Sequence, residues 1–355
     1  MKKTSLCILF GGKSTEYEIS LRSAYTVLTN IDKDKYDITA VGITKRGYWY
    51  CYTGPYEKIL DDSWCADTEH LTSAQLSTNF GEGSLILLNE NTYRRIKIDV
   101  VFPVVHGVYA EDGTLQGLLE LSGIPYVGSD CASSALCMDK AFTKQILNNH
   151  NIPQAKCIIF QKSRLKKDPD AAKAEIESQF SYPVFVKPSN SGSSVGASKV
   201  AAADALIPAL FDAARYDDKV IVEEYINAKE IEVAVLGNDT LTVSECGEIA
   251  ANSDFYDYDT KYVKNISSYY IPARIDEITS EKIRSYAKKI YRILGCKGLS
   301  RVDFFVKHDN GDIIFNEINT LPGFTSISMY PKLLMHAGLT LPEIIDRLIQ
   351  LAKNH

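Results

Sequence analysis

Apolar residues fall along this chain in two alternating rhythms. Residues 6–10, 38–43 and 100–105 are short, nearly unbroken apolar runs, as expected of strands buried on both faces. Residues 20–30 and 115–122 space their apolar side chains three and four apart and predict helices. Strand and helix in alternation predict a parallel α/β unit. Between residues 50 and 90 the pattern is irregular and rich in Thr, Ser, Asp and Asn, which predicts a surface excursion. A second unit begins near Ser133, with a helix over 138–149, strands at 157–161 and 184–187, and a helix over 203–214 that repeats Leu206, Leu210 and Ala214. A third starts with a strand at 220–224 and continues through 232–236. Its helix, 281–294, puts Ile283, Ala287, Ile290 and Leu294 on one face and is closed by Gly295. A last helix covers 342–352.

The most chemical part of this pattern lies near the C-terminal end. Residues 300–305 and 315–320 both alternate apolar and polar side chains, and Asp309-Asn310-Gly311-Asp312 between them predicts a hairpin. Glu317 and Asn319 are two apart and share a face, which Asp303 can reach from the partner strand. Three hard oxygen ligands without His or Cys suit Mg²⁺, which usually comes with phosphates. Acidic strand residues on their own are as often a solvated sheet face.

Two loops extend the argument. The predicted strand 182–186 runs into Lys187-Pro188-Ser189-Asn190-Ser191-Gly192-Ser193-Ser194-Val195-Gly196, a small Gly/Ser-rich loop with a lysine at its base. Such a loop offers backbone N–H groups and hydroxyls to an anion. Gly12-Lys13-Ser14 imitates the tail of a P-loop, but Cys7 stands where that pattern needs its first glycine. Gly11-Gly12 instead predicts a tight strand-to-helix turn of a Rossmann-like unit. Glu16 and Glu18 follow in the region that opens the helix, where the helix dipole alone favours an acid.

Composition narrows the partners. At 355 residues the chain holds two or three domains. A net charge of −6 argues against nucleic acid. The basic stretch 162–167 predicts a solvated loop. No apolar run approaches membrane-spanning length, and Met1-Lys2-Lys3 leads into a short strand rather than a signal sequence. The eight cysteines form no CxxC pair and sit mostly in apolar contexts, as reduced thiols of a cytoplasmic protein do. The stretch 251–268 is polar, aromatic and without a core stripe. A long irregular segment inside a compact domain is usually functional or disordered, and a closing lid is the expectation here.

Taken in order, these motifs resemble the D-alanine–D-alanine ligase family of ATP-grasp enzymes over nearly the whole chain. The resemblance is carried by Gly11 through Leu21; His106-Gly107 through Glu111-Asp112-Gly113-Thr114-Leu115-Gln116-Gly117; Met138-Asp139-Lys140; Lys187-Pro188 through Gly196; Phe255 through Tyr262; Arg301-Val302-Asp303; and Asn316-Glu317-Ile318-Asn319 through Ser326. It implies an α/β protein of three-domain ATP-grasp architecture. Residues 1–132 would form the N-terminal Rossmann-like substrate domain. Residues 133–222 would be the central subdomain, and 223–355 the C-terminal one with the metal site and the lid. ATP would lie between the last two. Lys140 and Lys187 would hold its phosphates, with Lys261 also on the nucleotide. Glu223 would meet the adenine amino group and Glu230 the ribose. Asp303, Glu317 and Asn319 would hold two Mg²⁺, with Mn²⁺ as a substitute. Glu16 would anchor the first ammonium and join Ser193 and Tyr262 in a hydrogen-bonded trio that ties down the lid. Arg301 and the Gly323 N–H would face the oxyanion, and Ser328 the second carboxylate.

The implied activity is ATP-dependent joining of two D-alanines through a D-alanyl phosphate, for peptidoglycan precursors, by a cytoplasmic homodimer that binds neither nucleic acid nor membrane. Ligases of this family that make D-Ala–D-lactate lack the Lys-Tyr pair that this chain keeps at Lys261-Tyr262. The D-serine-adding members typically carry Phe where Tyr256 stands and Arg where Met329 stands. The pocket therefore resembles the alanine-adding enzymes, while stretches such as 43–50 and 133–140 also resemble the D-serine subgroup linked to glycopeptide resistance. A D-Ala–D-Ser ligase and another ATP-grasp carboxylate–amine ligase are the alternatives.

Overall fold

A computed structural model describes residues 2–193, 195–250 and 268–354. The N-terminal third runs β1 (Thr4–Gly11), α1 (Tyr17–Asn30), β2 (Tyr36–Ile43), β3 (Trp49–Tyr52), α2 (Glu57–Leu60), β4 (Leu71–Leu76), β5 (Ser84–Leu88), β6 (Tyr93–Lys97), β7 (Val100–Val105) and α3 (Thr114–Ser122). Its sheet has the order β6-β5-β4-β3-β2-β1-β7. The strands β2, β1 and β7 are parallel, and β3 to β6 extend them as an antiparallel meander. The expected surface excursion over 50–90 is thus corrected: β3, β4 and β5 of it belong to the sheet. In β4, Ala74 and Leu76 point inward while Ser73 and Gln75 face solvent, so a half-exposed strand presents its period of two through weakly apolar residues.

The turn after β1 is the tight one expected. Gly11 has φ +84°, and a Cβ there would collide with the Ile43 carbonyl. Its N–H is held by Ser20 Oγ at 2.8 Å and the next N–H by Ile43 O at 2.8 Å. No phosphate loop is formed.

The middle of the chain runs α4 (Cys131–Met138), α5 (Lys140–Asn148), β8 (Cys157–Gln161), α6 (Lys162–Lys167), α7 (Pro169–Gln179), β9 (Val184–Pro188), β10 (Ser198–Val200), α8 (Leu206–Ala213) and β11 (Lys219–Glu224). Its antiparallel sheet has the order β10-β9-β11-β8. The helix expected from 138 onward starts afresh at Lys140, because Asp139 leaves helical geometry and its carboxylate caps the N–H groups of Ala141 and Phe142. The basic stretch 162–167 is a short helix, not a loop; its lysines and arginine are good helix formers and Leu165 is buried.

The last third runs β12 (Ala228–Gly237), β13 (Leu241–Val243), β14 (Gly247–Ala250), β15 (Ser268–Tyr270), α9 (Glu277–Ile293), β16 (Leu299–Lys307), β17 (Ile313–Asn319), α10 (Met329–His336) and α11 (Leu341–Lys353). Its sheet has the order β15-β14-β12-β16-β17, with β13 beside β12. The hairpin β16–β17 forms as expected, with a register shift between Asp303 and Phe304. Phe304 faces Phe315 in the core while Asp303 faces Glu317.

One apolar core joins the first and last thirds: Leu6, Ile8 and Phe102 pack in the same cluster as Leu236, Phe324, Tyr330 and Leu348. The helix α11 is set by a reciprocal Thr340–Glu343 capping box and buries Ile344, Ile345, Leu348 and Ile349. Among the described residues no helix is long and apolar enough to cross a membrane. Leu348→Ala should cost about 2–5 kcal/mol by opening this shared core; urea unfolding checks it, and a loss within experimental scatter would contradict the shared packing.

Candidate active site

The hairpin acids are not a solvated face. Asp303 is 8% exposed and opposes Glu317 in register, as Arg301 opposes Asn319. Asn319 Nδ2 donates to Asp303 Oδ2 at 3.2 Å. Arg301 forks onto the same carboxylate, Nε to Oδ1 at 2.8 Å and Nη2 to Oδ2 at 2.7 Å. Its other side meets Glu232 Oε2 at 3.1 Å from Nε. Burial works against the guanidinium charge, but Asp303 and Glu232 beside it hold its pKa well above the ordinary value. Lys140 Nζ stands 3.5 Å from Glu317 Oε2 and donates to Ser191 O at 2.7 Å.

Two carboxylates and an amide oxygen on one face are a donor set that suits Mg²⁺. Among the described residues no three His, Cys, Asp or Glu side chains cluster as a metal site. Here Arg301 and Lys140 meet the acids' charge.

Two clefts meet at this hairpin. The larger, about 540 Å³, lies between the β9–β11 face and the β12–β16–β17 face and is bordered by Lys187, Glu223, Glu230, Asp303 and Glu317. At its back Glu223 is buried between two lysines, Lys187 Nζ at 2.7 Å and Lys144 Nζ at 2.8 Å. Burial opposes ionisation of Glu223, yet the two lysines overrule it and bring its pKa down to about 2. The smaller, about 100 Å³, is bordered by Glu16, Glu111, Arg301, Gly323, Ser328 and Met329. Lys140, Ser193, Glu232 and Glu317 border both.

Glu16 sits in a seat of two glycines. A Cβ on Gly192 would overlap its carboxylate, and one on Gly107 would stand 2.6 Å from Oε2. Ser193 Oγ donates to Glu16 Oε1 from a left-handed backbone of φ +48°. A serine held there is strained, and such strain clusters at functional positions. Glu18 points outward near Lys45, so only the dipole reading applies to it. The Ser328 hydroxyl accepts from Thr325 N at 3.1 Å and would lie 2.9 Å from a Cβ on Gly323.

Of the residues expected from sequence, Glu16, Ser193, Lys140, Lys187, Glu223, Glu230, Arg301, Asp303, Glu317, Asn319, Gly323, Ser328 and Met329 all border these two joined clefts. Tyr256, Lys261 and Tyr262, with most of the expected lid, lie outside the described residues. Lys144, Glu232 and Glu111 were not singled out. Lys144 is one helical turn after Lys140, and Glu232 is two along the strand from Glu230, so spacing alone could have found both. Glu111 accepts from Gly107 N at 2.9 Å and, more weakly, from Leu321 N at 3.4 Å.

The model for the D-ala D-ala ligase N-terminus matches residues 5–129, and that for the D-ala D-ala ligase C-terminus matches residues 146–350. A D-alanine–D-alanine ligase of Caldicellulosiruptor bescii is 49% identical, the match covering 99% of this chain and 96% of that protein. A D-alanine–D-alanine ligase B of Clostridium tetani is 46% identical over 100% of this chain and 95% of its own length. Among solved structures, the VanG D-Ala:D-Ser ligase from Enterococcus faecalis superposes with a TM-score of 0.89 at 44% identity, covering 99% of this chain and 100% of that one. The D-alanine–D-alanine ligase from Coxiella burnetii gives 0.86 at 34%, covering 100% and 95%. The architecture is the ATP-grasp fold. Within it, the chain belongs to the D-alanine–D-alanine ligase family.

Burial, and then the charge of Glu16, push the Glu111 carboxyl up to about 8 from its ordinary 4.5. The folded chain therefore keeps a proton that the unfolded chain gives up above 4.5, and stability from this group falls as pH rises from 4.5 to about 8. Glu111→Gln should flatten that decline. Melting temperatures of both proteins across this range check it, and parallel curves would contradict it.

Proposed function

We propose that this chain joins two D-alanines at the expense of ATP. The observation that carries the reading is the meeting of the two clefts at Lys140, Ser193 and Glu317. A nucleotide in the larger cleft would present its terminal phosphate there, beside an amino acid held in the smaller one.

In this reading Lys140 and Lys187 bind phosphate oxygens as point charges. Glu223, kept ionised by Lys144 and Lys187, accepts from the adenine amino group, and Glu230 takes the ribose. Asp303, Glu317 and Asn319 would hold Mg²⁺, which when bound neutralises charge on the phosphoryl group in transit. Glu16 receives the ammonium of the first D-alanine. A carboxylate oxygen of that D-alanine attacks the γ-phosphorus, the bond to ADP breaks, and a D-alanyl phosphate forms. The free amine of the second D-alanine attacks the acyl carbon, phosphate leaves with the C–O bond electrons, and the nitrogen loses a proton. Arg301 and the Gly323 N–H face the oxyanion of that step, and Ser328 binds the second carboxylate. Lys261 and Tyr262 complete a lid over residues 251–268 that keeps water from the acyl phosphate. We divide the chain accordingly at 1–132, 133–222 and 223–355, although the strand expected to open the third unit, β11, pairs in the middle sheet, so that the last boundary falls within it. Its thiols, all free, suit the cytoplasm, where the substrates of wall synthesis are made.

A second reading, D-serine as the acceptor, is favoured by the 44% identity to the VanG ligase. Against it stands Met329, a thioether beside the acceptor end of the cleft that offers a hydroxyl only a weak partner. A serine hydroxyl there would lose water without a strong replacement, at about 1–3 kcal/mol.

Two measurements follow. With ATP, Mg²⁺ and both acceptors in competition, product masses should show D-Ala preferred over D-Ser by about 10- to 100-fold in kcat/KM; a preference for D-Ser would install the second reading. Arg301→Met should lower kcat by about 10²–10³ with little change in the KM for ATP. An effect confined to the KM for ATP would make Arg301 a nucleotide contact instead.

A further inference from the structure

Met329 opens α10, is 3% exposed, and still borders the smaller cleft. Against its side chain lies Gly247, the first residue of β14. A Cβ added to Gly247 would overlap the Met329 terminal methyl and would stand 2.8 Å from Leu333 Cδ2 and 3.5 Å from Ile271 Cγ1. The backbone does not require glycine at this position. Gly247 is absent from the left-handed glycines of the described residues and pairs in ordinary antiparallel register with Glu232. What excludes a side chain is space alone. Gly247 does not border the cleft itself, whereas Ile249, two residues along the strand, does. Met329 thus borders the cleft while Gly247, Leu333 and Ile271 do not, and Leu333 and Ile271 stand beside the place that a Gly247 Cβ would take.

We infer that Gly247 is a positioning residue for acceptor choice: its missing side chain is the seat of the Met329 methyl and so sets the depth of the acceptor end of the cleft. The inference rests on the reading of Met329 as the residue that faces the second substrate. A methyl group at Gly247 has to expel the Met329 methyl. The open space beside Met329 is the cleft it borders, so the side chain turns that way and shortens it. The longer acceptor suffers most, because D-serine carries one heavy atom more than D-alanine.

The test compares wild type, Gly247→Ala, Met329→Ala and the double variant by steady-state kinetics, with products identified by mass. Wild type forming neither dipeptide would overturn the proposed function, and with it this inference, before any variant is made. With wild type active, Gly247→Ala should raise the acceptor KM by about tenfold, the scale of one misplaced carbon in an apolar pocket. It should widen the D-Ala over D-Ser preference and leave the KM for ATP unchanged. In the Met329→Ala background the same change should have no effect on acceptor KM or preference, since the side chain it pushes toward the cleft is gone and Leu333, the other side chain it crowds, does not border the cleft. An acceptor KM and preference like wild type's in Gly247→Ala would overturn the inference while leaving the ligase reading intact. So would a loss in Gly247→Ala that persists in the Met329→Ala background, or one that comes with a raised KM for ATP, as general damage to the fold would produce.

Discussion

Buried acids held by buried cations set the terms for this structure. Asp303, Glu232 and Glu223 are each nearly enclosed, and each has a lysine or arginine within hydrogen-bonding reach. Leaving one such charge alone costs about 3–5 kcal/mol, so neither partner can be dropped without the other. The pairs also bind elements together. Lys140 on α5 reaches Glu317 on β17, and Lys144, on the same helix, reaches Glu223 on β11. The helix that carries both lysines is thereby fixed against two different sheets, and the cleft between those sheets is electrically closed at rest. An incoming polyanion would find cations already in place and acids ready to release them, so little has to be rearranged when it arrives.

A second seam is made of small residues. The Gly/Ser-rich loop after β9 crosses to Glu16 of the N-terminal unit, and the contact depends on Gly107 and Gly192 having no side chains and on Ser193 accepting a left-handed backbone. The smaller cleft is therefore assembled from units far apart in sequence, and the strain at Ser193 is offset by the contact it makes. Loops placed in this way by rigid sheets are the usual carriers of binding and catalysis.

How much of this could be read from the chain differs by feature. The hairpin acids were legible because alternation fixes which side chains share a face, and Asp309-Asn310-Gly311-Asp312 announced the turn. The strand β4 was not, since a half-exposed strand built with Thr, Ser and Gln carries too little apolar contrast. The restart of the helix at Lys140 was hidden because its cause is the Asp139 side chain bonding to the backbone, which apolar spacing does not record. Glu111 was quoted within a motif but given no role. Its burial comes from Gly107 and Leu321, the second of them far along the chain.

The register shift in the β16–β17 hairpin has a consequence for how this site can change. Asn316 is the additional residue that lets Phe315 stay opposite Phe304 while Glu317 stays opposite Asp303. Without the shift Asn316 would stand opposite Asp303 and Glu317 opposite Val302, and Glu317 and Asn319 would exchange faces with Ile318. Substitution could then recover the hydrophobic core or the oxygen ligands, but not both at once. Spacing along this strand is thus under the same constraint as the chemistry of its acids.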